Sequence, residues 1–300
     1  MLDTEYIDFI LKADLSAASK KQYKSKLESM IHLTGKNIDW IITHPEELHK
    51  LIKQHYTEAQ TKKAYYSTIT ALFKHCPKIK EENSKEYLKY YEYYKEISTE
   101  VKEKYRSGVP SEKQQAGYVE WTELLKKRDE IGEKNYGCKE HLLLSMYTYI
   151  PPVRQDFCNL RIWSKMPTGD KANQGNFIII KKKSACVLVL NEYKTSKVYK
   201  HFEKELPPEL CKIIHKSLEL NPRNYLFVNS DGGIYDKEES YIRNINRTLQ
   251  GIFDKPITVS IIRHSFITHE RTQNRTPGDE EDSAASMLHS VREKNLYRFV

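Results

Sequence analysis

The sequence predicts a mainly α-helical protein with a small antiparallel β-sheet, divided into two domains. Three observations carry that expectation. Apolar residues recur at helical spacing through residues 1–106. A polar, aperiodic stretch at 107–117, Ser-Gly-Val-Pro-Ser-Glu-Lys-Gln-Gln-Ala-Gly, then breaks the pattern and reads as a linker. Beyond it, helical segments flank three short β-rich runs between Phe177 and Phe202. The domains are accordingly expected at 1–106, all helix, and 118–300, mixed α+β; 300 residues suit two such units.

In the first domain, the helix after Ser16 turns Tyr23, Leu27, Met30 and Ile31 inward and should stop at Gly35, which tolerates a left-handed helix end. A second starts near Thr43-His-Pro45, where proline suits the first turn, with Leu48, Leu51 and Ile52 inward. A third follows Thr57, carries Tyr65, Ile69, Leu72 and Phe73, and ends at Pro77. A fourth runs from about Ser84 to Arg106 and is rich in Glu, Lys and Tyr. Tyr87, Tyr90, Tyr91, Tyr93 and Tyr94 crowd it, so among 21 tyrosines a tyrosine by itself signals nothing.

Charge is uneven over these helices. Residues 19–36 hold five lysines against Glu28, and residues 57–80 hold five against Glu58. Two basic helices in one small domain suit the clamping of a phosphate backbone, with Lys20, Lys21, Lys24, Lys62 and Lys63 as candidates. A solvated lysine face with no partner fits this domain equally well.

The second domain opens with helical pieces around Glu120–Ile131 and Lys139–Tyr149. In Ile150-Pro-Pro-Val-Arg-Gln-Asp-Phe157 the two prolines are expected to start a helix, with Arg154 in its first turn or two. Phe177–Ile180, Cys186–Leu190 and Val198–Phe202 read as strands of the small sheet, with Lys194 in the connection between the last two. Pro207–Leu218 reads as helix, Tyr225–Val228 as a short strand, and Glu238–Phe253 as helix. From Thr258 on, helix is expected on both sides of a polar insertion at Asn274–Ser283.

Composition bounds the function. Charged residues make up 30% and hydrophobic ones 39%, and no apolar run approaches the roughly 18–20 residues of a membrane span. The start, Met-Leu-Asp-Thr-Glu-Tyr, lacks the basic-then-apolar pattern of a signal peptide. A soluble intracellular protein, cytoplasmic or nuclear, is expected. The five cysteines are widely spaced with no Cys-x-x-Cys pair, which argues against a disulfide framework or a zinc ribbon. Neither a Gly-rich phosphate loop nor a His/Asp/Glu set with ligand spacing is present, so a kinase or metalloenzyme has no support. A net charge of +8 fits a nucleic-acid partner.

Chemistry at a phosphodiester needs few groups. Guanidiniums bind the non-bridging oxygens and stabilise charge in the transition state. A nucleophile must be poised in line, and an acid must protonate the departing oxygen. Arg154 and Arg263 suit the first task, Tyr297 the second, Lys194 the third, and His289 can hydrogen-bond the phosphate. Singly, each has a plainer reading: a surface salt bridge for Arg154, a solvated turn for Lys194, a satisfied core histidine for His289.

Their joint order is more informative. Pro-Val-Arg154-Gln-Asp-Phe, then Tyr-Lys194-Thr-Ser-Lys, then Ser260-Ile-Ile-Arg263-His264-Ser-Phe, then Leu288-His289-Ser, then Tyr297, resembles the tyrosine recombinase (integrase) superfamily. That family's order is an arginine, a hairpin lysine, His-x-x-Arg-His, Leu-Gly-His-Ser, and a tyrosine eight or nine residues after the last histidine; here the gap is eight. The spellings Tyr-Lys-Thr-Ser-Lys and Leu-His-Ser-Val are most similar to the branch found in eukaryotic mobile elements and DNA viruses. The helical N-terminal domain resembles the family's core-binding domain, so the resemblance covers nearly the whole chain.

The resemblance implies site-specific cleavage and rejoining of double-stranded DNA through a 3′-phosphotyrosine on Tyr297. Arg154 and Arg263 would hold the phosphate, Lys194 would protonate the leaving 5′-oxygen and His289 would support the transition state. It implies no metal, ATP or other cofactor, and self-association as a tetramer on DNA. Two other functions share the fold or the chemistry: a DNA-binding protein that no longer cuts, and a type IB topoisomerase-like enzyme. The chain departs from the pattern in places. Ser260 stands where the family has histidine, and His264 is the remaining uncertain catalytic candidate. The glycine before His289 is absent, with Met287-Leu288 in its place. Forty residues separate Arg154 from Lys194, a long gap that leaves Lys181, Lys182 and Lys183 open as rivals.

Overall fold

The computed structural model describes residues 2–181 and 185–299, without the side chains of residues 170 and 171. The chain divides into two compact units, Met1–Ser107 and Gly108–Val300. No helix among the described residues is long and apolar enough to cross a membrane.

The first unit is helical throughout: α1 (Asp3–Lys12), α2 (Ala17–Thr34), α3 (Ile38–Thr43), α4 (Pro45–His55), α5 (Ala59–His75), α6 (Pro77–Glu82) and α7 (Ser84–Ser107). The Ser16 hydroxyl caps α2 by accepting from Ser19 N, and Gly35 ends it in the left-handed conformation at φ 65°. Leu27, Met30, Ile41, Ile52, Ile69, Leu72 and Phe73 form one core. Buried hydroxyls are spent on ties between helices: Tyr90 donates to the Ile41 carbonyl, and Tyr66 bonds His49 Nδ1 at 2.8 Å. Three short helices were not anticipated. Of these, α3 and α6 have only six residues, too few to display a helical period, and α1 is tied in by a tertiary bond in which Asp3 accepts from Ile38 N at 2.7 Å.

The second unit runs α8 (Glu112–Gly117), α9 (Trp121–Lys134), α10 (Lys139–Thr148), β1 (Arg161–Trp163), a 3₁₀ turn (Gly169–Asn173), β2 (Phe177–Ile180), β3 (Cys186–Leu190), α11 (Ser196–Tyr199), β4 (Phe202–Glu205), α12 (Pro208–Leu220), α13 (Glu238–Phe253), α14 (Val259–Glu270), α15 (Pro277–Ser286) and α16 (Val291–Asn295). The sheet order is β1-β2-β3-β4. β2, β3 and β4 pair antiparallel, whereas β1 pairs parallel to β2, which makes the sheet mixed. Alternation along the strands buries both faces. Ile178, Cys186, Leu188 and Leu190 join the main core, while Phe177, Ile179, Val187 and Val189 form a second cluster with Trp163.

Several expectations need correction. The last strand is Phe202–Glu205, not Val198–Phe202, because Val198 is 72% exposed and Leu188 pairs with Lys204 instead. Residues 196–199 form one helical turn. Tyr225 makes only an isolated bridge to Arg161. The prolines at 151–152 start no helix; an irregular stretch there leads into bends and turns over 154–159, and a residue before proline is driven from helical geometry. The polar stretch Asn274–Ser283 is mostly helix, as α15, whose Thr276 and Asp279 form a capping box and whose inward side chains, Ser283 and Ala284, are small. Within the stretch read as linker, Ser111 and Gln114 form another capping box that starts α8.

Candidate functional site

Arg154 leaves the loop that follows α10. Its backbone is fixed on both sides: the N–H donates to Asp156 Oδ2 at 3.0 Å, and Tyr147 donates its hydroxyl to the carbonyl at 3.0 Å. The guanidinium Nη2 donates to the Tyr297 hydroxyl at 3.1 Å.

Arg263 is the hub. It lies in the second turn of α14, which Thr258 caps by accepting from Ile261 N at 3.3 Å. At 1% exposure its guanidinium donates through Nη1 to the Pro152 carbonyl at 2.6 Å and through Nη2 to His289 Nε2. The same group lies 4.8 Å from the centre of the Tyr297 ring, and among the described residues its Nε is buried without a hydrogen-bond partner. Its partners are a carbonyl, an imidazole and the Tyr297 phenol, so this buried positive charge is hydrogen-bonded but not neutralised by them.

His289 sits between Leu288 and the Ser290 cap of α16. Leu288 has φ 59°, a left-handed conformation that costs a residue with a Cβ about 1–2 kcal/mol. The glycine of the resembling motif would take it freely, and here a core leucine does so instead. Because His289 Nε2 accepts from Arg263, its proton is on Nδ1 and the ring is neutral. Burial, then the charges of Arg263, Arg154 and Lys194, push its pKa down to about 3.

Tyr297 follows α16, half-buried, with the His289 ring edge-on at 5.6 Å. Burial raises the pKa of its phenol, but the charges and hydrogen bonds of Arg263 and Arg154 outweigh burial, and the net shift is downward. Every other tyrosine with a clear shift moves up. The direction of this shift therefore sets Tyr297 apart from the other clearly perturbed tyrosines, which composition could not tell apart.

A buried ion network holds α16. Lys294, 1% exposed, pairs with Glu270 at 2.6 Å and Glu280 at 3.3 Å, and Glu270 also takes Arg275 and the Ser283 hydroxyl. The C-terminal end of α14 is thus joined to α15 and α16 on the way to Tyr297.

The remaining candidates fall into three groups. Lys194 is exposed on the β3–β4 connection, near enough to lower the His289 pKa; the neighbouring Thr195 ties that connection to the Leu288 carbonyl at 3.0 Å. Lys181 is exposed where the β2–β3 hairpin turns, and Lys182 and Lys183 lie outside the described residues. Ser260 is exposed on the first turn of α14, and among the described residues no hydrogen bond joins it to Tyr297 or either arginine. His264 faces the backbone of Tyr297, donating from Nδ1 to its carbonyl, rather than the hydroxyl. Lys20, Lys21 and Lys24 lie in the first two turns of α2, and Lys62 and Lys63 near the start of α5. These two helices pack together, with Lys26 over the Tyr65 ring at 4.4 Å, and neither carries an acid in its first turn. Lys24 is partly engaged by Glu28 at 3.8 Å.

Gln114, Thr195 and Phe299 were missed by the sequence reading, because only the tertiary fold brings them to His264 and Leu288. Among the described residues, no group of three His, Cys, Asp or Glu side chains is arranged to hold a metal ion.

No family model matches the chain, and no curated protein matches it. Among solved structures, one described as XerA recombinase aligns over 98% of this chain and 92% of its own, at 14% identity and a TM-score of 0.41. That likeness is too low to carry a functional inference.

Proposed function

We propose that the chain cleaves and rejoins DNA strands, with Tyr297 as the nucleophile. One observation carries the reading: alone among the tyrosines with a clear shift, Tyr297 has its phenol made more acidic, by the two guanidiniums of Arg154 and Arg263. A phenolate beside two cations is suited to attack an anionic diester that would otherwise repel it.

In this mechanism Tyr297 Oη attacks the scissile phosphorus and gives up its proton to solvent. Arg154 and Arg263 hold the non-bridging oxygens, the free Nε of Arg263 being one donor not yet engaged. The bond from phosphorus to the 5′-oxygen breaks, and that oxygen leaves as a hydroxyl with a proton from Lys194. The product is a 3′-phosphotyrosine, and attack by a 5′-hydroxyl reverses the sequence. Neutral His289 contributes a hydrogen bond rather than a proton, given a pKa near 3. The lysines of α2 and α5 bind the DNA backbone, and recombination would proceed in a tetramer of chains on double-stranded DNA.

The test is a pool of nicked duplexes of random sequence, from which the upstream strand is trapped on the protein once the short fragment diffuses away. Wild type should yield an SDS-resistant adduct that Tyr297→Phe abolishes. A folded, DNA-binding wild type that forms no adduct would overturn the catalytic proposal in favour of a binding protein, the reading that Ser260 in a histidine slot favours. Plasmid relaxation without recombinant product would point to a topoisomerase-like cycle. Replacing the leaving 5′-oxygen by sulfur removes the need for an acid, so it should rescue Lys194→Ala if Lys194 is that acid. Rescue of a Lys181, Lys182 or Lys183 variant instead would move the role to the β2–β3 hairpin.

A further inference from the structure

Tyr297 is gripped by its backbone as well as by its hydroxyl. Its carbonyl accepts from His264 Nδ1–H, and two residues on, Phe299 N–H donates to Thr268 Oγ1 at 3.0 Å. Both anchors are on α14, the helix that carries Arg263. The phenol and its buried guanidinium are therefore referenced to one rigid element.

His264 is itself held on all sides. A carbonyl can only accept, so Nδ1 carries the proton and Nε2 is left with a lone pair, which the Gln114 amide meets at 3.4 Å. Burial and the charge of Arg263 keep the ring neutral, as this double use requires. Phe299 stacks on the imidazole at 4.1 Å and 7° between planes, and Tyr118 meets the edge of Phe299 at 5.6 Å. Gln114 and Tyr118 belong to the segment through which the chain leaves the first unit and enters the second. That segment is itself pinned: a Cβ on Gly117 would lie 2.6 Å from the Pro256 carbonyl oxygen, just before α14.

We propose that Gln114, Tyr118, His264 and Phe299 form a seat for Tyr297, so that the segment entering the second unit aims the nucleophile. His264 is a positioning residue here, since it touches the backbone of Tyr297 and not the reacting atoms. The proposal rests on Tyr297 being the reactive group, and its test needs no DNA. Tetranitromethane nitrates phenolates, and trypsin releases Tyr297 alone among tyrosines in the peptide Asn295–Arg298, so mass spectrometry reads its titration directly.

Wild type should nitrate Tyr297 with a midpoint below the ~10 of free tyrosine. His264→Phe keeps a ring and loses the donor, Phe299→Leu loses the stack, and Gln114→Ala loses the second bond. Each should move the midpoint up and slow adduct formation by about 10–100-fold, the scale of a small misplacement. His264→Asn, with an amide donor near the place of Nδ1, and Phe299→Tyr should restore most of the wild-type midpoint. An unchanged midpoint in all three loss variants, folded by circular dichroism, would overturn the seat. Should His264→Phe or Phe299→Leu fail to fold, Gln114→Ala and Phe299→Tyr decide alone, because Gln114 is half-buried on a short helix and Phe299→Tyr keeps the ring. A shifted midpoint with no adduct from wild type keeps the seat and removes the cleavage reading. Adduct formation with unmoved midpoints does the reverse.

Discussion

Replacing Arg263 by methionine separates a functional charge from a structural one. The substitution roughly keeps volume and removes a cation that is 1% exposed. It strips donors from the Pro152 carbonyl and from His289 Nε2, at about 1–3 kcal/mol for each acceptor left buried and unpaired. Against this, the desolvation of a buried charge not neutralised by an ion pair is relieved, a gain of several kcal/mol. The two terms nearly cancel, so the net change in stability should lie within ~2 kcal/mol of zero. Function should not be spared: losing one charge-stabilising donor slows transition-state formation about 10²–10³-fold. Urea unfolding followed by circular dichroism measures the first quantity, and adduct formation on nicked duplexes the second. A loss of more than about 4 kcal/mol would make Arg263 an ordinary structural arginine. Unimpaired adduct formation would refute its place in the chemistry.

Other consequences are open to measurement. Arg154→Ala removes the hydrogen bond to Tyr297 and one of two nearby cations, so the nitration midpoint of Tyr297 should rise; a midpoint that stays put would mean Arg263 alone sets the acidity. The folded-state pKa values of His264 and His289, near 4 and near 3, lie below the ~6.5 of an unfolded histidine. Below pH ~6.5 the unfolded chain therefore takes up protons that the folded chain refuses. The urea midpoint should fall from about pH 6.5 down to about pH 3, less steeply above pH 4 in His264→Asn, and a flat profile would contradict the buried neutral rings. At Leu288, loss of a buried side chain should make Leu288→Ala cost about 2–5 kcal/mol, yet Leu288→Gly should be the more stable of the two by about 1 kcal/mol. Thermal melts reporting the usual order, alanine above glycine, would deny the left-handed backbone. Changing Lys20, Lys21, Lys62 and Lys63 to glutamine should lower the slope of log affinity against log salt by about 0.9 for each phosphate no longer neutralised. An unaltered slope would place the DNA elsewhere.

The long helices were legible because their signals are local. Ser16 and Gly35 bracket α2, and Glu238–Phe253 matches α13 residue for residue. What escaped depends on partners far away in sequence. β1 has three residues and is defined by pairing with β2, and the charged residues of Phe202-Glu-Lys-Glu show no strand pattern until Leu188 and Leu190 oppose that segment. Pro151-Pro152 looked like a helix start, but Arg263, 111 residues later, takes the Pro152 carbonyl. α15 was hidden because its inward face is serine and alanine, with no apolar period to see. At the site, the linear order of Arg154, Arg263, His289 and Tyr297 anticipates that they meet in space. It gave no hint of Gln114 or Phe299, whose residue types carry no chemistry until the fold sets them against His264.

The buried network of Glu270 and Lys294 makes the site tolerant of change in chain length. Between them the chain turns through Gln273 and Asn274 at an exposed tip, while its two ends are locked together by charge. Residues added at that tip would lengthen the path from Arg263 to Tyr297 without moving either. Within the interval between these two residues, the tip at Gln273 and Asn274 is thus the place where a tag or reporter can be inserted. By contrast, the three residues from Lys294 to Tyr297 cannot be altered in number without carrying the phenol off its arginines.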